Sequence, residues 1–177
     1  MDKVTIMSRK KFLTWFPPVT KNNLVAIRIG DQAPIRDTAS KRYADTLSLA
    51  FYDEWDYADQ IDRNTPAGSN RLTEKDKQVI DDFIDKYADK YFVVHCEQGI
   101  SRSAAVGYYI LKKLGYTAEL NQKKASSLYQ PNIEVYGILI DKPYTQETAA
   151  ALTLEIKSPT TVTNQKNKVT CKNEKQN

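Results

Sequence analysis

Histidine occurs once in this chain, at position 95, and cysteine twice, at positions 96 and 171. Two cysteines so far apart make no disulfide framework, so the composition does not suit an oxidising compartment. One histidine and two distant cysteines cannot fill a zinc site, and no metal or other cofactor is expected. No apolar run approaches the ~20 residues needed to cross a bilayer. The first residues, MDKVTIMSRKKFL, lack the apolar segment of a secretion signal. A cytoplasmic protein without membrane contact is expected. Dense basic runs are missing too. Lys and Arg total 26 against 22 acidic residues, and the formal net charge of +4 is spread along the chain. This balance mildly favours anionic ligands but leaves no footprint for nucleic acid.

What is present reads as alternating strands and helices. VTIMS at the start alternates like a short strand, and residues 9–16 suit a short helix stopped by Pro17 and Pro18. LVAIRI (24–29) is a buried strand, ended by Gly30 and Asp31. TLSLAFY (46–52) is the next strand and runs straight into Asp53. Thr73 with Asp76 forms a capping-box pattern before a helix whose apolar face carries Ile80, Phe83, Ile84 and Tyr87. Residues 91–95 are a short buried strand. Residues 103–114 form a helix of small and apolar side chains, closed by Gly115. Residues 117–129 suggest another helix, and Pro131 suits the first position of a third.

This alternation predicts an α/β fold with a central, mostly parallel twisted sheet of about four to five strands flanked by helices. One catalytic domain is expected over residues 1–143, with a further helix over 144–157. The polar segment 158–177 has almost no large apolar residue and is expected to be a disordered tail.

The only histidine stands directly beside a cysteine, in VVHCEQGISRSAAV (93–106). A strand ends there, a loop of Glu97, Gln98, Gly99, Ile100 and Ser101 follows, and a helix begins near Arg102. Backbone N–H groups at a helix start are unpaired, and the helix dipole adds to them, so the loop is suited to an anion. A thiol placed there is set up to react as a thiolate. Gly99 supplies the positive φ that an inward-curling loop requires. Arg102, six residues after Cys96, has a planar fork that can hold two oxygens of one phosphate. Ser103 offers a hydroxyl to the sulfur. His95 and Cys96 are strand neighbours, so their side chains diverge. A Cys–His pair of the thiol-protease kind is therefore not expected. His95 is expected to face away and hold the loop by hydrogen bonds. The bland alternative for Cys96, a small buried hydrophobe, fits this loop poorly. Cys171 in the polar tail reads as an incidental thiol.

HCEQGISRS resembles the His-Cys-x5-Arg-Ser signature of the protein tyrosine phosphatase superfamily, and Gly-x-Ser-Arg-Ser is similar to its dual-specificity branch. LSLAFYDEW resembles the strand-plus-Asp segment of compact prokaryotic and phage members. RLTEKDKQVIDDFI and YQPNIEVYGIL resemble the helix before the catalytic strand and the Pro-Asn helix start near the domain's end. The resemblance spans residues 4–140, but only the signature is highly specific. Gln98 stands where this class usually has a small residue, and the connection between Asp53 and Cys96 is longer than in compact eukaryotic members.

The resemblance implies a metal-free phosphatase. Cys96 would be the nucleophile. Arg102 and the N–H groups of residues 97–102 would hold the phosphate, and Asp53 would be the general acid. Ser103 would stabilise the returning thiolate. Asp56, Asp59 and Asp62 compete with Asp53 for the acid role. The implied substrates are proteins carrying phosphotyrosine, with phosphoserine and phosphothreonine if the cleft is shallow. Phosphoinositides and RNA 5′-phosphates are alternatives, and so is a phosphate-binding module without turnover. A thiol-cascade arsenate reductase would need resolving cysteines, and Cys171 in the polar tail is a poor candidate. A monomer is expected.

Overall fold

The computed structural model describes residues 1–32, 38–53 and 71–161. Asp56, Asp59, Asp62 and Cys171 lie outside the described residues. Four strands form one sheet, β1 (Val4–Ser8), β2 (Leu24–Gly30), β3 (Asp45–Ala50) and β4 (Tyr91–Cys96), in the order β1-β4-β2-β3. Every pairing is parallel. The α/β class and the parallel sheet are as the alternating pattern predicts. Among the described residues six α-helices accompany the strands: α1 (Arg9–Thr14), α2 (Glu74–Lys86), α3 (Arg102–Lys113), α4 (Thr117–Ala125), α5 (Ile133–Leu139) and α6 (Ala149–Lys157). None of them is long and apolar enough to cross a membrane.

A parallel sheet buried on both faces needs nearly continuous apolar strands. LVAIRI meets that demand, because Leu24, Val25, Ala26 and Ile27 are all fully buried. Alternate side chains then serve opposite layers. Val25, Ile27, Phe92, Val94 and Cys96 join the larger core with Ile80 and Ile84 of α2 and Ala104, Ala105 and Ile110 of α3. Leu24, Ala26 and Val93 face the smaller core, built with Phe12 of α1 and Tyr43. Each large aliphatic or aromatic group sealed this way contributes about 1.5–3 kcal/mol.

The helix ends follow local chemistry. The Thr73–Asp76 capping box forms in both directions. Gly115 takes φ +76° just past Leu114, the cap of α3. Several boundaries depart from the sequence reading; α4 ends at Ala125 rather than 129, and α6 begins at Ala149 rather than 144. β3 stops at Ala50, because Phe51 turns its N–H to Gly30 O at 2.9 Å beyond the regular ladder, so Asp53 lies three residues past the strand. Pro131 stands before the cap of α5 rather than inside the helix, since Asn132 Oδ1 accepts from Val135 N at 3.0 Å. Residues 158–161 are anchored rather than loose. Lys124 Nζ donates to Ser158 O and Thr160 Oγ1, and Thr160 N donates to Asn121 Oδ1 at 2.7 Å.

The register brings the ends of β1 and β4 together, with Ser8 opposite Cys96. Arg28 of β2 lies opposite His95. The carboxyl edge of the sheet is therefore where the cysteine loop, the end of β2 and the exit of β3 meet.

Candidate active site

Cys96 ends β4 with only 1% of its surface exposed. Its side chain is on the face of the larger core. Gly99 N donates to Cys96 Sγ at 3.3 Å, and Ser103 Oγ lies 3.2 Å from the same sulfur. With that hydroxyl donating, the sulfur accepts two hydrogen bonds.

The loop between Cys96 and α3 is held from several sides. Arg9 N donates to Glu97 O at 3.2 Å, and Gln130 N donates to Ile100 O at 3.0 Å. Glu97, Gln98 and Ile100 are exposed at the surface of the loop, while Gly99 is buried. Gly99 has φ +77°, and a Cβ there would lie 2.4 Å from Met7 C and Ser8 N. Backbone cannot yield to that approach as a flexible side chain can. Gly99→Ala is therefore expected to destabilise the fold by about 1–3 kcal/mol and to lower any activity of the loop. Denaturant unfolding checks the first effect and a turnover assay the second; an unchanged variant would mean the loop has room to relax.

Ser101 caps α3 by position but not by hydrogen bond. Its Oγ donates to Asp53 Oδ1 at 2.6 Å instead. The first N–H groups of α3, without intrahelical acceptors, stay available to an anion in the loop.

Asp53 is drawn over the loop from the β3 exit. Besides Ser101, Asn132 Nδ2 donates to the same Oδ1 at 3.0 Å. Asp53 Oδ2 lies 3.8 Å from Arg102 Nε. Arg102 is 4% exposed. Its Nη1 donates to Phe51 O at 2.7 Å and also to Asp31 Oδ1. Its Nε is buried and has no hydrogen-bond partner among the described residues. A buried guanidinium N–H left open in this way is a donor waiting for an acceptor.

His95 lies on the other face of the sheet, with its ring 4.3 Å from that of Phe12. Arg28 Nε donates to His95 Nε2 at 3.3 Å. Nε2 then serves as acceptor, so Nδ1 carries the proton and points at Cys96 O, 3.4 Å away. His95 supports the first peptide of the loop and makes no approach to the sulfur side.

The structure thus brings Cys96, Gly99, Ser101, Arg102, Ser103 and Asp53 to one place, and sets His95 behind it. Two participants escaped the sequence reading. Asn132 stood in the sequence only within the Pro-Asn helix start, yet its side chain both caps α5 and grips Asp53. Asp31 was visible only as the end of a strand. Its place at the carboxyl edge, where ligands of parallel sheets gather, was the available signal.

No protein-family model matches the chain, and no curated protein matches it. Among solved structures it is similar to human DUSP28, at 15% identity with a TM-score of 0.45, over 88% of this chain and 96% of that one.

Proposed function

We propose that this chain is a cysteine-dependent phosphatase that hydrolyses phosphate monoesters through a phosphocysteine, acting on phosphotyrosine and also on phosphoserine and phosphothreonine in proteins. One observation carries the reading: a buried, hydrogen-bonded sulfur, an open guanidinium donor and a carboxyl group converge on a single loop, with Arg102 Nε 3.8 Å from Asp53 Oδ2.

The geometry supports the following roles. Sγ of Cys96, as thiolate, attacks phosphorus in line while the bond to the ester oxygen breaks. The loop N–H groups and Arg102 hold the non-bridging oxygens as charge gathers on them. Both hydrogen bonds to Asp53 go to Oδ1. The transferable proton therefore belongs on Oδ2, the oxygen on the Arg102 side. It passes to the leaving oxygen. In the second step the Asp53 carboxylate takes a proton from water. The water oxygen attacks phosphorus, the S–P bond breaks, and inorganic phosphate leaves. Ser103 Oγ donates to the sulfur as its charge returns, in line with the 3.2 Å contact.

The reading is tested by turnover of phenyl phosphate and of phosphotyrosine, phosphoserine and phosphothreonine peptides. Arg102→Lys keeps the charge and loses the fork. It is expected to lose ~2–4 kcal/mol of transition-state stabilisation, on the order of 30- to 1000-fold in kcat/KM. A Lys variant with nearly full kcat/KM would place Arg102 outside the phosphate site. A wild type that binds phosphate esters but never releases phosphate would make the chain a binding module.

A further inference from the structure

We infer that Asp31 is a positioning residue that sets the rotation of Arg102 and thereby aims its open edge at the phosphate. The inference rests on the phosphatase reading of the same loop and assigns a role to a residue outside the Cys-x5-Arg signature.

The hydrogen bonds of the Arg102 side chain among the described residues all leave from Nη1, to Asp31 Oδ1 and to Phe51 O. These two acceptors belong to adjacent strand ends. Asp31 follows Gly30, the last residue of β2, and Phe51 follows Ala50, the last of β3. The two ends are tied together by the hydrogen bond from Phe51 N to Gly30 O at 2.9 Å. The sheet edge therefore presents a side-by-side pair of oxygens to one nitrogen of the guanidinium. A planar group gripped twice at one corner has its remaining edge fixed in direction. That remaining edge includes Nε, which is buried and without a hydrogen-bond partner among the described residues. It is the edge on the side of Asp53.

Electrostatics alone argues the opposite sign. Asp31 is an anion within reach of the site of a bound dianion, and its side chain is 56% exposed. If it did nothing but contribute charge, removing it would strengthen phosphate binding and raise kcat/KM. If it positions Arg102, removing it frees the guanidinium to turn. Binding and turnover then fall, because small misplacements of a catalytic group are costly. The direction of the effect separates the two.

The experiment measures kcat/KM on phenyl phosphate and binding of inorganic phosphate by calorimetry, on the full chain. Asp31→Ala, Asp31→Asn, Arg102→Lys and Asp31→Ala with Arg102→Lys are compared, each checked by thermal unfolding. Asp31→Ala is expected to lower kcat/KM about 10- to 100-fold and to weaken phosphate binding, with no dependence on leaving group. Asp31→Asn keeps the Oδ1 acceptor and is expected to recover most of that loss. In the Arg102→Lys background the Asp31→Ala effect is expected to vanish, since no fork remains to be aimed. An equal loss in both backgrounds, or tighter phosphate binding in Asp31→Ala, overturns the inference. If wild type hydrolyses the ester and Asp31→Ala matches it, this inference fails and the phosphatase reading stands. If wild type binds phosphate without turnover and Asp31→Ala weakens that binding, the positioning role stands and the phosphatase reading fails.

Discussion

Cys96→Ser is expected to lower turnover on every phosphate ester by on the order of 10⁴- to 10⁶-fold while phosphate binding persists. The sulfur is buried, receives the Gly99 N–H at 3.3 Å and sits 3.2 Å from Ser103 Oγ. A serine oxygen fits the same space and can keep the same neighbours. It remains a protonated hydroxyl, however, and no histidine lies beside it to take the proton. His95 is the only histidine, and its ring is on the far face beside Phe12. The variant should therefore fold, bind phosphate in the loop and fail at the bond-making step. Steady-state turnover against calorimetric phosphate binding checks both halves. A serine variant with near wild-type turnover would refute nucleophilic catalysis by Cys96, whereas loss of both turnover and binding would point to a damaged loop.

Asp53→Asn is expected to discriminate between substrates by leaving group. A nitrophenolate departs readily as an anion, whereas a tyrosine phenolate or serine alkoxide needs a proton. The expected loss is about 10²–10⁴-fold for the poor leaving group and far smaller for the nitrophenyl ester. Asn132 and Ser101 both donate to Oδ1, and an asparagine Oδ1 can accept the same two bonds. The substitution thus keeps the side chain in place and removes only the proton carried on Oδ2. Asp56→Asn, made in parallel, is the control. A leaving-group-dependent loss in that variant and not in Asp53→Asn would move the acid three residues along the chain.

What was legible in the sequence was mostly local. The loop from Cys96 to Ser103 is contiguous, and its residue types state their chemistry. The Thr73–Asp76 box and the Asn132 cap act over three residues. The sheet followed from apolar runs that only a doubly covered parallel layer accommodates. What was hidden depends on distant partners. Asp31 and Arg102 are 71 residues apart, and Asn132 and Asp53 are 79 apart. Nothing in local spacing announces such meetings before the strand order is known. The end of β3 was misjudged because Phe51 is fully buried and reads as strand, although it has already left the regular ladder. The anchoring of residues 158–161 was missed because it is polar. Lys124 and Asn121 hold that segment through hydrogen bonds that an apolar pattern cannot reveal.

The central claim is a covalent bond between phosphorus and Cys96. Rapid acid quench during turnover of a phosphorylated peptide, followed by mass spectrometry of the digested protein, tests it most directly. Asp53→Asn should raise the yield, because the group that activates water in the second step is gone. The account predicts one added phosphoryl group on the peptide carrying Cys96, absent from Cys96→Ser. A phosphoryl group on any other residue, or rapid turnover with Cys96 never modified, would contradict it.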